Sequence, residues 1–163
     1  MIDIGSRINI IGANTEKTHA RAINPFGQKH SYASRSPLLV KGGGKGGTSS
    51  KQIATTPIAV TEATGKVTKE VFKANVVEGS GSDLPAMMGN QSMEEKDAVI
   101  ILRKGKQLMV FPGPAGYKIE WSPGTKLLPL VQTTSGHLVL PCDSFEKAIT
   151  ATDRLTFATD NRQ

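Results

Sequence analysis

The residues of this sequence best suited to chemistry lie near its amino-terminal end, in the segment Asp3-Ile4-Gly5-Ser6. Asp3 stands between short apolar runs, and a glycine and a small hydroxyl follow it closely. Glycine lets the backbone turn tightly, and a serine hydroxyl can form a hydrogen bond within the turn or to the carboxylate. The pattern predicts a turn that holds the Asp3 carboxylate rigidly and leaves its oxygens accessible. For these residues alone, an ordinary Asp-containing turn without a catalytic role remains the simpler interpretation.

A second segment, much later in the chain, favours the catalytic interpretation over an ordinary turn. Residues 84–89 are apolar and end on a glycine, and residues 90–96 have the composition of one or two helical turns. A hairpin is predicted next, between residues 98–102 and residues 107–111. The functional interpretation depends on this order of an Asp turn, an apolar strand, a glycine, a short helix and a hairpin.

The elements that must position these segments are predicted to be mostly β-strands. Apolar residues make up 37% of the 163 residues, and 17 glycines and 9 prolines punctuate short runs rich in Val and Ile. Strands are predicted at residues 37–41, 52–60 and 67–77, the last two as a hairpin, and a short helix at residues 15–22. Residues 27–37 are polar and are predicted to form a loop. The length fits one domain with a tail.

Residues 42–47 form the low-complexity segment of the sequence and consist of glycines around Lys45. This composition is typical of a linker or of the tip of a mobile hairpin. A phosphate-binding P-loop is not predicted, because its lysine must be followed directly by Ser or Thr, whereas Gly46 follows Lys45 here.

The charge of the chain is basic but dispersed. A formal charge of +6 and a pI of about 9.6 favour polyanions non-specifically. The 20 Lys and Arg residues form no run of about five or six like charges, which is typical of nucleic-acid-binding arms. Aromatic residues are only 5% of the chain, so few rings are available to stack on bases. We interpret the charge as a contribution to solubility, or as a context set by a partner, rather than as a binding site.

Metals and other cofactors are not predicted. The spacing of His19, His30, His137 and Cys142 matches no familiar zinc motif. Cys142 is the only cysteine, so no intrachain disulfide can form, and a reducing compartment is expected. The sequence contains neither an apolar stretch long enough to cross a membrane nor a signal peptide. Together these features predict an intracellular, cytoplasmic protein with no membrane partner.

The two segments described first resemble the two signature motifs of retropepsin-like aspartic proteases, as in LTR-retrotransposon polyproteins. Asp3-Ile4-Gly5-Ser6 resembles the family's Asp-Thr/Ser-Gly-Ala/Ser motif, and residues 84–93 resemble its second motif of an apolar strand, a glycine and a short helix. Residues 98–111 resemble the hairpin that follows, and residues 42–47 fall where the family places its flap. The resemblance covers residues 1–111. Residues 112–163 would then be a C-terminal extension, β-rich and partly irregular.

The resemblance implies an all-β fold, a small closed β-barrel with one or two short helices. Such a protein works as a homodimer and hydrolyses peptide bonds of a polyprotein. Asp3 is then the catalytic residue, and the Asp from each copy forms the pair that activates a water molecule. Ile4, Gly5 and Ser6 shape the active-site turn. The implied flap, which closes over the peptide substrate, consists of Gly42, Gly43, Gly44, Lys45, Gly46 and Gly47.

The sequence departs from the family's pattern at two places. The family has Thr or Ser at the position of Ile4, where the hydroxyl bonds across the dimer, and isoleucine cannot form that bond. Only Met1 and Ile2 precede Asp3, whereas the family has a longer strand there, so we expect a truncated N-terminal strand in a chain cut from a longer polyprotein. Two alternatives therefore stay open. One is a catalytically impaired retropepsin-like fold that serves as a dimerisation or peptide-binding module, and the other is a basic, nucleic-acid-associated polyprotein fragment.

Overall fold

Strands dominate the fold of this protein. The computed structural model of the chain describes residues 1–3, 5–41 and 47–142. Strands account for 45% of them, and helices are few, so the prediction of a mostly β protein is confirmed. The α-helices of the described part are α1 (Ala13–Ile23) and α2 (Asn90–Glu94). Its strands are β1 (Ile2–Asp3), β2 (Ile10–Gly12), β3 (Ser31–Lys41), β4 (Gly47–Thr61), β5 (Val67–Val77), β6 (Met88–Gly89), β7 (Val99–Arg103), β8 (Lys106–Val110), β9 (Val131–Gln132) and β10 (Leu138–Val139).

A four-stranded sheet forms the centre of the fold, with the strand order β2-β5-β4-β3. The pairs β3–β4 and β4–β5 are antiparallel, whereas β2 pairs with β5 in parallel. With 15 residues, β4 is long enough to pair with β3 near its start and with β5 near its end. The predicted strand 67–77 and the β4–β5 hairpin are confirmed. Strand β3 begins earlier than predicted, because the polar residues from Ser31 to Ser34 pair with β4 instead of forming a loop.

One face of this sheet carries the main core. Ala54, Phe72, Ala74 and Val76 are buried together with Ile11 of β2. Within β4 and β5 these residues have even numbers, as expected for side chains that alternate between the two faces of a strand. The apolar pattern of the two strands therefore fixes which face of the sheet turns inward.

Helix α1 follows β2 without a loop and packs against the core through Ala13. Its N-cap is Gly12, where the chain runs very close to a neighbouring segment. A Cβ atom at Gly12 would lie 2.6 Å from the backbone nitrogen of Leu84. The helix predicted at residues 15–22 is confirmed, and it extends further at both ends.

The described strands do not form the closed barrel that the sequence predicts. They make four separate sheets, the central one and the pairs β1–β6, β7–β8 and β9–β10. Strands β1, β6, β9 and β10 contain two residues each. A single bridge between Ile10 of β2 and Met87, just before β6, connects the β1–β6 pair to the central sheet. The predicted β7–β8 hairpin is present, but its strands pair only with each other within the described residues.

Residues 112–142, the described part of the C-terminal segment, contain little regular structure beyond β9 and β10. This part holds less strand than the predicted β-rich extension. Several of its large side chains face solvent, among them Leu128 and Trp121, which is 57% exposed. In the ranges 1–3, 5–41 and 47–142, no helix is both long enough and apolar enough to cross a membrane.

Candidate active site

Asp3 lies at the end of β1, directly beside the second segment that the sequence singles out. Strand β1 pairs in parallel with β6, so that Ile2 is opposite Met88 and Asp3 is opposite Gly89. The main chain of Met1 extends this contact, because its carbonyl accepts a hydrogen bond of 2.9 Å from the Met88 N–H. Two segments far apart in the sequence thus meet at the candidate residue.

The turn after Asp3, residues 5–8, which we call the Asp3 turn, binds the Asp3 carboxylate from one side. The Gly5 N–H donates to Asp3 Oδ1 at 3.0 Å, and the Ser6 N–H donates to the Asp3 carbonyl at 3.1 Å. The Ser6 hydroxyl donates to the Ile8 carbonyl at 2.8 Å, which stabilises the turn rather than the carboxylate. Asp3 remains partly exposed and forms no ion pair with another described residue. Ile4, the remaining residue of the predicted turn, lies outside the described residues.

Helix α2 supports this turn through its first backbone N–H groups, which have no partner within a helix. The Asn90 N–H donates to the Ser6 carbonyl at 2.8 Å, and the Gln91 N–H donates to the Arg7 carbonyl at 3.0 Å. The glycine before the helix allows this approach, since a Cβ at Gly89 would lie 2.6 Å from the Ile8 carbonyl oxygen. The strand-glycine-helix segment therefore holds the turn that carries Asp3.

Asparagine residues that the sequence analysis did not select complete the support. Asn9 Oδ1 accepts from the Gly89 N–H at 2.9 Å, and Asn9 Nδ2 donates to the Lys73 carbonyl at 2.9 Å. Asn75 Nδ2 donates to the Asn9 carbonyl at 2.9 Å. These contacts join the Asp3 turn to the central sheet. The available signal was an asparagine inside an apolar run, at Asn9 between two isoleucines and at Asn75 in β5.

The predicted flap is only partly described. Residues 42–46, that is Gly42, Gly43, Gly44, Lys45 and Gly46, lie outside the described residues. The strands on either side of them are paired, with Lys41 opposite Gly47. Gly47 is the first residue of β4.

A separate polar cluster lies between α1 and the central sheet. Buried Glu16 Oε1 accepts a hydrogen bond of 2.7 Å from the Tyr32 hydroxyl and contacts His30 Nδ1. His19 Nδ1 lies 3.4 Å from His30 Nε2, and Thr56 Oγ1 lies 3.4 Å from His30 Nδ1. The position of His19 beside His30 was not predicted from the sequence. The contacts of Glu16 with His30 and Tyr32 hold α1 against the start of β3.

Two side chains of this cluster have shifted pKa values. Burial lowers the pKa of His19 and the neighbouring His30 lowers it further, while Glu16 acts in the opposite direction. Burial, together with the hydrogen bond to Glu16, raises the pKa of Tyr32 to about 12. No group of three or more His, Cys, Asp or Glu side chains in the described part of the chain could hold a metal ion. We regard the cluster as a structural feature because Glu16 of α1 contacts Tyr32 and His30 at the start of β3.

Comparison of the chain with protein-family models, with curated proteins and with solved structures finds no match. A functional assignment therefore depends on the geometry around Asp3 and on the motifs of the sequence.

Proposed function

We propose that this protein is a retropepsin-like aspartic endopeptidase that hydrolyses peptide bonds of a polyprotein as a homodimer. The observation that supports the proposal is the parallel pairing of Asp3 with Gly89, together with the support of the Asp3 turn by α2. A retropepsin-like fold requires an Asp turn next to an apolar strand that ends on glycine and leads into a short helix. This chain has that arrangement, although its described strands do not close into a barrel.

The chemistry of such a site follows from the proximity of two carboxylates. Two carboxylates about 3 Å apart cannot both ionise, so they share one proton. The ionised Asp3 takes a proton from a bound water, which attacks the scissile carbonyl, and the protonated Asp3 of the second copy polarises that carbonyl. The C–N bond then breaks as the carboxyl group that took the water's proton donates it to the leaving nitrogen, which leaves an amine and a carboxylic acid. The pair titrates as a unit. The Gly5 N–H, at 3.0 Å from Asp3 Oδ1, would fix the orientation of each carboxylate.

The surroundings of Asp3 are compatible with a surface between two copies. Ile2, one residue before Asp3, is 45% exposed, and Met1 is more exposed still. Burying these apolar side chains against a second copy would stabilise the dimer. In the same proposal, residues 42–47 close over the peptide and exclude water from the site.

A second candidate is the same fold without catalysis, acting as a dimerisation or peptide-binding module. Ile4 favours it, because isoleucine cannot form the hydrogen bond across the dimer that Thr or Ser forms in the family. The two candidates predict the same dimer and differ only in turnover.

Peptide cleavage by the wild type and by Asp3→Asn distinguishes these candidates. We expect the wild type to cleave members of a pooled peptide library between about pH 4 and 6. Asp3→Asn should lower the rate by at least about a hundredfold, because the amide can serve as neither acid nor base. Asp97→Asn is the matched control, since Asp97 is exposed and has a positive φ that asparagine tolerates.

Each outcome of this assay has a defined meaning. Cleavage that survives Asp3→Asn would exclude the aspartic mechanism. Cleavage that is absent from the wild type but present in Ile4→Thr would favour the catalytically impaired module.

A further inference from the structure

The C-terminal segment forms a hairpin, residues 131–139, that we call the C-terminal hairpin. Strands β9 and β10 pair in antiparallel, with Val131 opposite Val139. The Thr133 N–H donates to the His137 carbonyl at 2.8 Å, and the Gly136 N–H donates to the Thr133 carbonyl at 2.8 Å. Gly136 has a φ of +85°, a conformation that favours glycine. The turn of this hairpin is thus defined by its own hydrogen bonds.

The turn of the C-terminal hairpin lies against the elements that support Asp3. Asn90 Nδ2 donates to the Gly136 carbonyl at 2.6 Å. Gly136 is buried, and a Cβ there would lie 2.9 Å from Arg7 Cγ, closer than real Cβ contacts. Gln132 Nε2 donates to Glu94 Oε1 at 3.2 Å. The hairpin therefore contacts both the Asp3 turn, at Arg7, and helix α2.

One buried residue connects the hairpin to the Asp3 turn. Asn90 is 2% exposed, its backbone N–H binds the Ser6 carbonyl, and its side chain binds the Gly136 carbonyl. Asn90 Oδ1 is buried and has no hydrogen-bond partner among the described residues. Within the described residues, the bond to Gly136 is therefore the one hydrogen bond that orients the Asn90 amide. The Asn90 amide would lose this hydrogen bond if the hairpin moved away, and its buried polar atoms would then have no partner among the described residues.

The hairpin contributes little else to the fold. Val131, Leu138 and Val139 are all exposed, so the hairpin buries little apolar surface and adds little to global stability. The hairpin instead contacts Arg7 and helix α2, which hold the Asp3 turn. A segment that only completed the core would bury its apolar side chains instead.

We propose that the C-terminal hairpin is a strap that holds the Asp3 turn in position through Asn90, and that Asn90 is a positioning residue of the site. Release of the strap exposes Asn90 to water and weakens the hydrogen bonds that α2 makes to Ser6 and Arg7. The Asp3 turn then loses order while the central sheet stays folded. The effect on catalysis rests on the proposed function, whereas the effect on the turn does not.

Gly136→Ala tests the strap, and Gly124→Ala is its matched control. Both glycines have nearly the same positive φ, +85° and +84°, so alanine introduces the same backbone strain at each. Only at Gly136 does the added Cβ meet another residue, since nothing lies within 4 Å of the position at Gly124. Any difference between the variants therefore reports the disturbed contact between the hairpin and the Arg7 side chain rather than the strain.

Hydrogen exchange of the Asn90 and Gln91 amides is the direct readout. We expect exchange at both amides to accelerate at least about tenfold in Gly136→Ala and to stay at the wild-type rate in Gly124→Ala. The urea midpoints of the two variants should agree, because the strap adds little global stability. Asn90→Ala removes the side chain that binds the Gly136 carbonyl and should accelerate exchange at the Gln91 amide in the same way. Wild-type exchange rates at Gln91 in both Gly136→Ala and Asn90→Ala would overturn the proposal.

The pH profile of peptide cleavage tests the positioning role. In Gly136→Ala we expect kcat to fall with KM unchanged, and the two limbs of the bell-shaped profile to move, because the shared proton depends on the orientation of the Asp pair. A lower kcat with an unmoved profile would contradict positioning. If the wild type cleaves no peptide, the proposed function fails, and the exchange rates alone decide whether the strap exists.

Discussion

At the scale of single residues, the molecule uses carboxylates in two different ways. Asp3 is partly exposed, and among the described residues its carboxylate receives one hydrogen bond, from the Gly5 N–H, so its second oxygen is available for chemistry. Glu16 is buried and already bonded to Tyr32 and His30. A buried carboxylate whose contacts join a helix to a neighbouring strand serves the fold, whereas a partly exposed carboxylate with an open oxygen can serve a substrate.

The His19 site makes a prediction about stability and pH. Burial and His30 lower the pKa of His19, so between that lowered value and the ordinary 6.5 the unfolded chain binds more protons than the folded one. Stability should therefore decrease as the pH falls below about 6.5. We expect His19→Gln to lose less stability than the wild type between about pH 7.5 and 5, measured by urea denaturation followed by circular dichroism.

His137→Gln is the control for this experiment. His137 is exposed in the turn of the C-terminal hairpin, away from the His19 cluster, so this variant controls for the replacement of a histidine by glutamine. Equal pH dependence in the wild type and in His19→Gln would show that His19 does not contribute.

At the scale of the elements, some of the fold could be predicted from local pattern. The bounds of β5 and the β7–β8 hairpin follow from apolar runs separated by turn residues, and helix α1 follows from its composition. The early part of β3 could not be predicted, because residues 31–36 are mostly polar and become a strand only through pairing with β4. The same limit applies to ladders of two residues, which depend on the approach of distant segments.

Part of the candidate site could likewise be predicted from local sequence, and part depends on contacts between distant segments. Asp3 and the segment before α2 could be found from residue type and order. Asn9, Asn90 and the Gly136 carbonyl could not, because each hydrogen bond joins residues far apart in the sequence and a single polar residue does not indicate its partner.

Gly89 makes a prediction at this scale. In Gly89→Ala the added Cβ would lie 2.6 Å from Ile8 backbone atoms, so either β6 or the Asp3 turn must move. We expect a loss of about 1–3 kcal/mol in the free energy of unfolding, measured in urea, because overpacking against a backbone cannot be relieved by a rotamer change.

The control for Gly89→Ala is Gly113→Ala. Nothing lies within 4 Å of a Cβ at Gly113, and its φ is not positive. The unfolding free energy of this variant should stay within about 0.5 kcal/mol of the wild type. Equal stability of the two variants would mean that the close approach at Gly89 relaxes freely.

At the scale of the whole molecule, the proposal requires two copies, because each chain supplies one Asp3. We expect a homodimer in sedimentation experiments, with exposed Ile2 at its surface. Ile2→Asp places a charge in that surface and should raise the dimer dissociation constant at least about tenfold, which corresponds to about 1.4 kcal/mol. Its backbone pairing with Met88 does not depend on the side chain.

Val67→Asp is the control for the dimer experiment. Val67 is also an exposed apolar strand residue, but it lies at the start of β5 in the central sheet. This variant should dimerise as the wild type does. A wild-type chain that stays monomeric at all concentrations would contradict the homodimer, and so would an Ile2→Asp variant with unchanged affinity.

The exposure of Trp121 determines which spectroscopic signals these experiments can use. It is the only tryptophan of the sequence and belongs to the irregular C-terminal segment, outside the core. Its fluorescence should already have the emission maximum of a water-exposed indole in the native protein, and it should change little when the central sheet unfolds. Intrinsic fluorescence is then a poor measure of stability for this protein. It is a sensitive reporter of any ligand or second copy that covers the C-terminal segment.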